Sequence, residues 1–207
     1  MQTIIKTFMI FGAAAAFAFG ANVEAEKAFD RGLSAYNKGD YKTTIADFTQ
    51  AIKLDPNDAM AYNNRGIAYD ELGDYGKAIA DYTQAIKLDP SFAYAYYNRG
   101  NAYDDLGDYK TAIDDYNQAI KLDPNYAEAY CNRGVAYLAL GDHKTALADW
   151  TQAIKLNPNY ADAYGNRGNV YALLNDLKSA TKDARIACEL GNCNLLQLMA
   201  KNKDLRD

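Results

Sequence analysis

The chain has 207 residues, 49% of them hydrophobic and 24% charged, with only four prolines, so disorder is excluded for most of its length and a folded domain of ordinary apolar content is expected. Twenty-two Lys and Arg stand against 27 Asp and Glu, a net charge of −5. No surplus of cations remains to neutralise a phosphate backbone, which excludes nucleic acid as the partner.

The first predicted element is an export signal over residues 1–24. Lys6 precedes an apolar run from Thr7 to Gly20, which small residues and the acids Glu24 and Glu26 follow, the usual order of a secretory signal. Cleavage is expected between residues 20 and 25, after Gly20 or Ala25, with Ala16 and Ala18 framing a third option. The 14-residue run is shorter than the roughly 20 residues a helix needs to cross a bilayer, so no membrane span is expected once it is removed. The first cysteine is Cys131, so no residue near these bonds can carry a lipid. The mature chain is expected to be periplasmic or secreted.

From residue 25 the sequence repeats. Pro56, Pro90, Pro124 and Pro158 are spaced 34 residues apart, and the same register aligns Gly32, Gly66, Gly100, Gly134 and Gly168. Five rows result, 25–58, 59–92, 93–126, 127–160 and 161–192. A period of this length marks an array of helical units. Within each row two helical stretches are divided at Gly39-Asp40, Gly73-Asp74, Gly107-Asp108, Gly141-Asp142 and Asn175-Asp176. Gly or Asn takes the left-handed conformation that ends one helix, and Asp caps the next. In the second stretch Ala78, Tyr82, Ala85 and Ile86 recur at three-to-four spacing and form one apolar stripe. The prolines stop the second helix. Residues 193–207 are read as a capping helix and tail, on the strength of Leu195, Leu196, Leu198 and Met199.

Row two carries Tyr62, Gly66, Tyr69, Ala78, Tyr82 and Pro90. Row three carries Tyr96, Gly100, Tyr103, Ala112, Tyr116 and Pro124, and row four Tyr130, Gly134, Tyr137, Ala146, Trp150 and Pro158. This pattern resembles the tetratricopeptide repeat, in an exported bacterial-type form with Asn-Arg-Gly in most rows. The end rows depart from it: row one has Ala28 and Ala35 in aromatic columns, and row five has Ala184 for the second-helix aromatic and Asn192 for Pro. End units of a solenoid are commonly atypical because one face meets water. The resemblance implies an all-α fold, a right-handed superhelical solenoid of five helix-turn-helix hairpins plus a C-terminal capping helix. It also implies a protein-interaction scaffold or adaptor that binds a peptide or partner protein on its concave face. The alternative is a structural or self-associating component of a cell-envelope assembly.

Three constellations invite chemistry. Arginine fills the seventh column of every row and aspartate the twenty-third, and these columns lie opposite each other if the helices turn about the fifteenth. Arg31 with Asp47, Arg65 with Asp81, Arg99 with Asp115, Arg133 with Asp149 and Arg167 with Asp183 are therefore expected as structural ion pairs rather than an anion-binding stripe. By the resemblance, first-helix columns line the inner face, giving a candidate peptide groove at Asn63, Asn64, Tyr94, Tyr97, Asn98, Asn101, Asn132 and Asn166. That face is amide-rich and acidic and lacks the Lys and Arg of a carboxylate clamp, so a neutral or basic ligand is expected. The asparagines either contact that ligand or bond adjacent helices. Finally, Cys188 and Cys193 form a disulfide in an oxidising compartment if the turn at Gly191 brings their α-carbons within about 7 Å.

No nucleophile elbow, phosphate loop or paired catalytic carboxylates occur, and the one histidine, His143, replaces a packing Tyr. The reading is of a protein without catalytic residues, metal or cofactor.

Overall fold

The computed structural model describes residues 23–204. Residues 1–22, which hold the apolar run of the export signal read over residues 1–24, and the last three residues lie outside the described residues. Eleven helices follow in order: α1 (Val23–Tyr36), α2 (Tyr41–Leu54), α3 (Ala59–Glu71), α4 (Tyr75–Leu88), α5 (Ala93–Asp105), α6 (Tyr109–Leu122), α7 (Ala127–Ala139), α8 (His143–Leu156), α9 (Ala161–Leu173), α10 (Leu177–Glu189) and α11 (Asn194–Asp204). Among the described residues there is no strand.

The helix ends form where the punctuation places them. Gly73 has φ +75°, and the Asp74 and Gly73 amides bond back to the carbonyls of Tyr69 and Asp70. Asn175 takes the same left-handed conformation at φ 62°, which its short polar side chain tolerates. Asp40, Asp74, Asp108, Asp142 and Asp176 each accept from the amide three residues on, which satisfies one orphan donor of the following helix. At the other end, Asp55, Asp89, Asp123 and Asn157 are extended, with φ near −130°. Each precedes a proline, whose ring disfavours the helical conformation in its neighbour.

The described residues divide into two compact units between Gly107 and Asp108. In the first, consecutive helices α1 to α5 pack pairwise, and α3 also touches α5. Its core gathers Ala28, Phe48, Ile52, Ile67 and Tyr82, with Phe29 set edge-on to Phe48 at 5.2 Å. In the second, consecutive helices α6 to α10 pack pairwise and α11 rests on α9 and α10. Its core is centred on Trp150, fully buried with Ala146, Ala153, Ala163 and Val170.

The glycine column marks where the two helices of a hairpin cross most closely. A β-carbon at Gly66 would lie 2.7 Å from the Tyr82 ring, and one at Gly134 would lie 2.8 Å from Trp150 Nε1. The fifth row lacks the facing aromatic, since Ala184 stands there. Its partner arrives from α11 instead: Leu195, 5% exposed, reaches to 2.7 Å from the same position on Gly168. The capping helix thus supplies the side chain that the last hairpin omits.

Cys188 and Cys193 are joined as a disulfide, with α-carbons 4.0 Å apart. It ties the end of α10 to the residue before α11. Reduction, or Cys193→Ser, should lower the stability of the C-terminal unit by about 2 kcal/mol, the loop-closure entropy of so short a ring. Thermal unfolding with and without reductant checks this; an unchanged midpoint would show that the bridge holds nothing in place.

Candidate functional site

The arginine column builds a staple. Arg65 Nε and Nη2 donate to Asp81 Oδ2 and Oδ1 at 2.8 and 2.7 Å, and Arg133 grips Asp149 in the same way at 2.8 and 2.6 Å. Arg167 binds Asp183 at 2.8 and 2.9 Å, whereas Arg31 makes one bond of 3.0 Å to Asp47 and is 55% exposed. The aspartates of the inner pairs are buried. Hydrogen bonding to Asp81 holds the Arg65 guanidinium above its ordinary range, and Asp183 does the same for Arg167.

A further contact was open to sequence reasoning and was missed. The remaining nitrogen, Nη1, donates to a side chain sixteen residues earlier: Arg65 to Thr49, Arg99 to Thr83, Arg133 to Asn117 and Arg167 to Thr151, at 2.6 to 3.1 Å. Each arginine therefore also ties its first helix to the second helix of the preceding row. The signal was the Thr, Thr, Asn, Thr column in the same register. The guanidinium also sits 5.3 to 5.7 Å from the Tyr62, Tyr96, Tyr130 or Tyr164 ring. These arginines have their donors engaged within the fold and do not form an anion stripe.

The first-helix columns divide by burial. Asn63, Asn64, Asn98 and Asn132 are buried, as is Tyr97, so the expectation that these side chains face a ligand is corrected. In the first unit the reason is geometric: Asn63 and Asn98 meet between α3 and α5. Asn98 Nδ2 in α5 donates to Asn63 Oδ1 in α3 at 3.0 Å, and Asn63 Nδ2 lies 3.4 Å from Asn64 Oδ1. The Asn63 and Asn98 carboxamides bond adjacent helices, the other of the two uses open to them. Asn64 Nδ2 ends this chain buried and without a hydrogen-bond partner.

The accessible part is smaller. On the first unit it comprises Met60 and Tyr94 at one end of α3 and α5, Asn101 midway, and the carboxylates Glu71, Asp104 and Asp105 at the other. Tyr36 Oη donates to Glu71 at 3.4 Å. Asp104 is half-buried and its Oδ1 has no hydrogen-bond partner. Burial, with the neighbouring Asp105 charge, raises its pKa to about 6. On the second unit Asn166 is half-exposed in α9.

A carboxyl raised in this way opposes folding when ionised. Stability is fully present below the ordinary Asp range and is lost as pH rises through about 6. Asp104→Asn should therefore stabilise the protein by about 1–2 kcal/mol at pH 7.5, allowing for solvent screening, and leave it unchanged at pH 4. Urea unfolding at the two pH values checks this; equal effects at both would assign the change to packing.

Elsewhere the titratable groups offer little chemistry. Burial raises the Cys131 thiol to about 12, so it is not a nucleophile at neutral pH. Among the described residues, no group of three or more His, Cys, Asp or Glu is placed to hold a metal ion.

Paired helices recurring in one register, with first helices stapled by arginine to neighbouring second helices, define a helical-repeat protein. Residues 32–73 and 100–141 match the family described as TPR repeat, while 59–92 with 127–160 and 81–114 with 150–192 match families described as tetratricopeptide repeat. The chain belongs to the tetratricopeptide-repeat family, whose members are in general non-enzymatic scaffolds for protein interaction.

A crystal structure of MamA is 30% identical, with a TM-score of 0.70 over 77% of this chain and 93% of that one. The crystal structure of YrrB, described as a TPR protein with an unusual peptide-binding site, is 24% identical with a TM-score of 0.69, over 87% of this chain and 94% of that one. At that identity the likeness concerns the fold alone. Forty-one residues are 46% identical to Hsp70-Hsp90 organizing protein 3 of Arabidopsis thaliana, a match covering 20% of this chain and 7% of that protein.

Proposed function

We propose that this protein is an exported adaptor that captures a neutral or basic polypeptide on the first-helix face of its N-terminal unit. The observation that carries the reading is Asp104, a half-buried carboxyl with an unpartnered oxygen and a raised pKa, beside Asp105 on a face lined by Met60, Tyr94 and Asn101. A ligand cation there would be drawn to the Asp104 and Asp105 carboxylates, and Tyr94 with Met60 offers an apolar anchor nearly three turns away. Export rests on the order of charge and apolarity in residues 1–24, and the site of action is accordingly periplasmic or extracellular.

End-to-end self-association is the less favoured use of the fold. The column that accepts the following arginine in rows one to four, Thr49, Thr83, Asn117 and Thr151, holds Arg185 in row five. A second copy stacked there would set Arg31 against Arg185.

Recovery of partners from an envelope extract by the parent protein and by Tyr94→Ala/Asp104→Asn/Asp105→Asn is the test. A partner bound at least tenfold less by the variant supports the reading, since losing a charged hydrogen bond and an aromatic anchor costs about 1.5–3 kcal/mol or more. Equal recovery would remove this face from consideration.

A further inference from the structure

We propose that the turn between α9 and α10, together with the outer face of α10, is a docking surface for an anionic lipid bilayer. Leu173 closes α9, Leu174 caps it and Leu177 opens α10. These leucines are 66%, 51% and 51% exposed, so three large apolar side chains stand in water at one turn. Beyond them Lys178, Lys182 and Arg185, all exposed, follow at helical spacing on one side of α10 and line an open groove.

Leu174 and Lys178 continue columns of the other rows, Leu72, Leu106 and Leu140, 46–56% exposed, and Lys42, Lys110 and Lys144; Leu173, Leu177, Lys182 and Arg185 are particular to the last hairpin. In rows one to four the Lys182 column holds Ala46, Ala80, Asp114 and Ala148, and the Arg185 column holds the arginine acceptors Thr49, Thr83, Asn117 and Thr151. A last helix whose stacking side meets water calls for polar residues there, but not for one sign of charge. In a chain of net charge −5, that face carries three cations and a single acid, Glu189. Of the nearby acids, Asp183 is buried against Arg167, and Asp176, exposed within the turn, keeps its charge while it accepts from the Ser179 amide, so the cations outnumber the exposed acids by three to two. Solubility does not account for three exposed leucines.

Apolar side chains flanked by cations are what an interfacial segment presents to a charged bilayer. The leucines enter the boundary of headgroup and acyl chain, and the cations pair with lipid phosphates. Lys178 to Arg185 spans roughly 10 Å at about 1.5 Å per residue, so the strip stays within about one Debye length of a surface touched by the leucines. An acidic protein segment would satisfy the cations but leaves the leucines without a role. No crossing helix is needed, and among the described residues none is long and apolar enough to provide one. The surface belongs to the C-terminal unit and does not depend on the role of Tyr94 and Asp104.

Sedimentation of the full-chain protein with phosphatidylglycerol–phosphatidylcholine vesicles, against phosphatidylcholine alone, is the test. Residues 1–22 are common to every variant, so differences report the α10 surface. Two variants are compared with the parent: Lys178→Glu/Lys182→Glu/Arg185→Glu, and Leu173→Ser/Leu174→Ser/Leu177→Ser. All six positions are exposed, and circular dichroism checks that helicity is kept. The expected result is a preference for anionic vesicles that falls on the order of 100-fold in the charge variant and at least tenfold in the leucine variant. Parent-like binding by the charge variant would overturn the proposal. A preference that the charge variant loses but the leucine variant keeps would also overturn it, and would assign the strip to an acidic protein partner.

Discussion

Replacing Trp150 with alanine should destabilise the C-terminal unit by about 4 kcal/mol, the loss expected for a fully buried aromatic cut back to a methyl group. The ring is 0% exposed, sits over Gly134, and donates from Nε1 to the Cys131 carbonyl at 3.0 Å. The substitution removes the ring's buried area, opens a cavity beside Val170 and Ala163, and costs the indole hydrogen bond. Trp150→Phe should cost about 1–2 kcal/mol, because most of the area stays and only the bond and part of the volume go. Trp150 is the sole tryptophan, so unfolding is followed by circular dichroism. A loss below about 1 kcal/mol in the alanine variant would mean that α7 and α8 do not depend on this contact.

Arg133→Ala should cost about 3 kcal/mol or more, whereas Arg31→Ala should cost less than about 1 kcal/mol. The chemistry of the two pairs is alike, and burial separates them. Asp149 is 4% exposed, and without Arg133 its charge would remain in the interior while Asn117 loses its donor. Arg31 is largely in solvent, where water replaces what the mutation removes. Truncating both partners, Arg133→Ala with Asp149→Ala, should recover part of the loss, because the stranded charge is gone. Equal costs at the first and fourth rows would show that the pairs are surface decoration.

The fold was legible because each row repeats the same local instructions. Gly73-Asp74 announces a left-handed stop and a cap, Pro90 announces an end, and the facing of Arg65 and Asp81 follows from counting residues on either side of the turn. Asn64 and Asn98 were harder. A carboxamide on a first helix reads equally well as a ligand contact or as a bond between helices, and only the Asn98–Asn63 distance favours the second. Leu195 was read as part of a cap, but its insertion over Gly168 depends on a three-dimensional vacancy that Ala184 creates. Asp104 was one of many acids in sequence, and its raised pKa arises from burial between elements that no local pattern records.

The most direct measurement places a photo-crosslinking phenylalanine analogue at Tyr94, and separately at Lys87, which is exposed on α4, and irradiates intact cells. The expected result is a discrete protein adduct at Tyr94 that is absent at Lys87 and is lost when Asp104→Asn and Asp105→Asn are added. No adduct at Tyr94, or the same adducts at both positions, would contradict capture on the first-helix face.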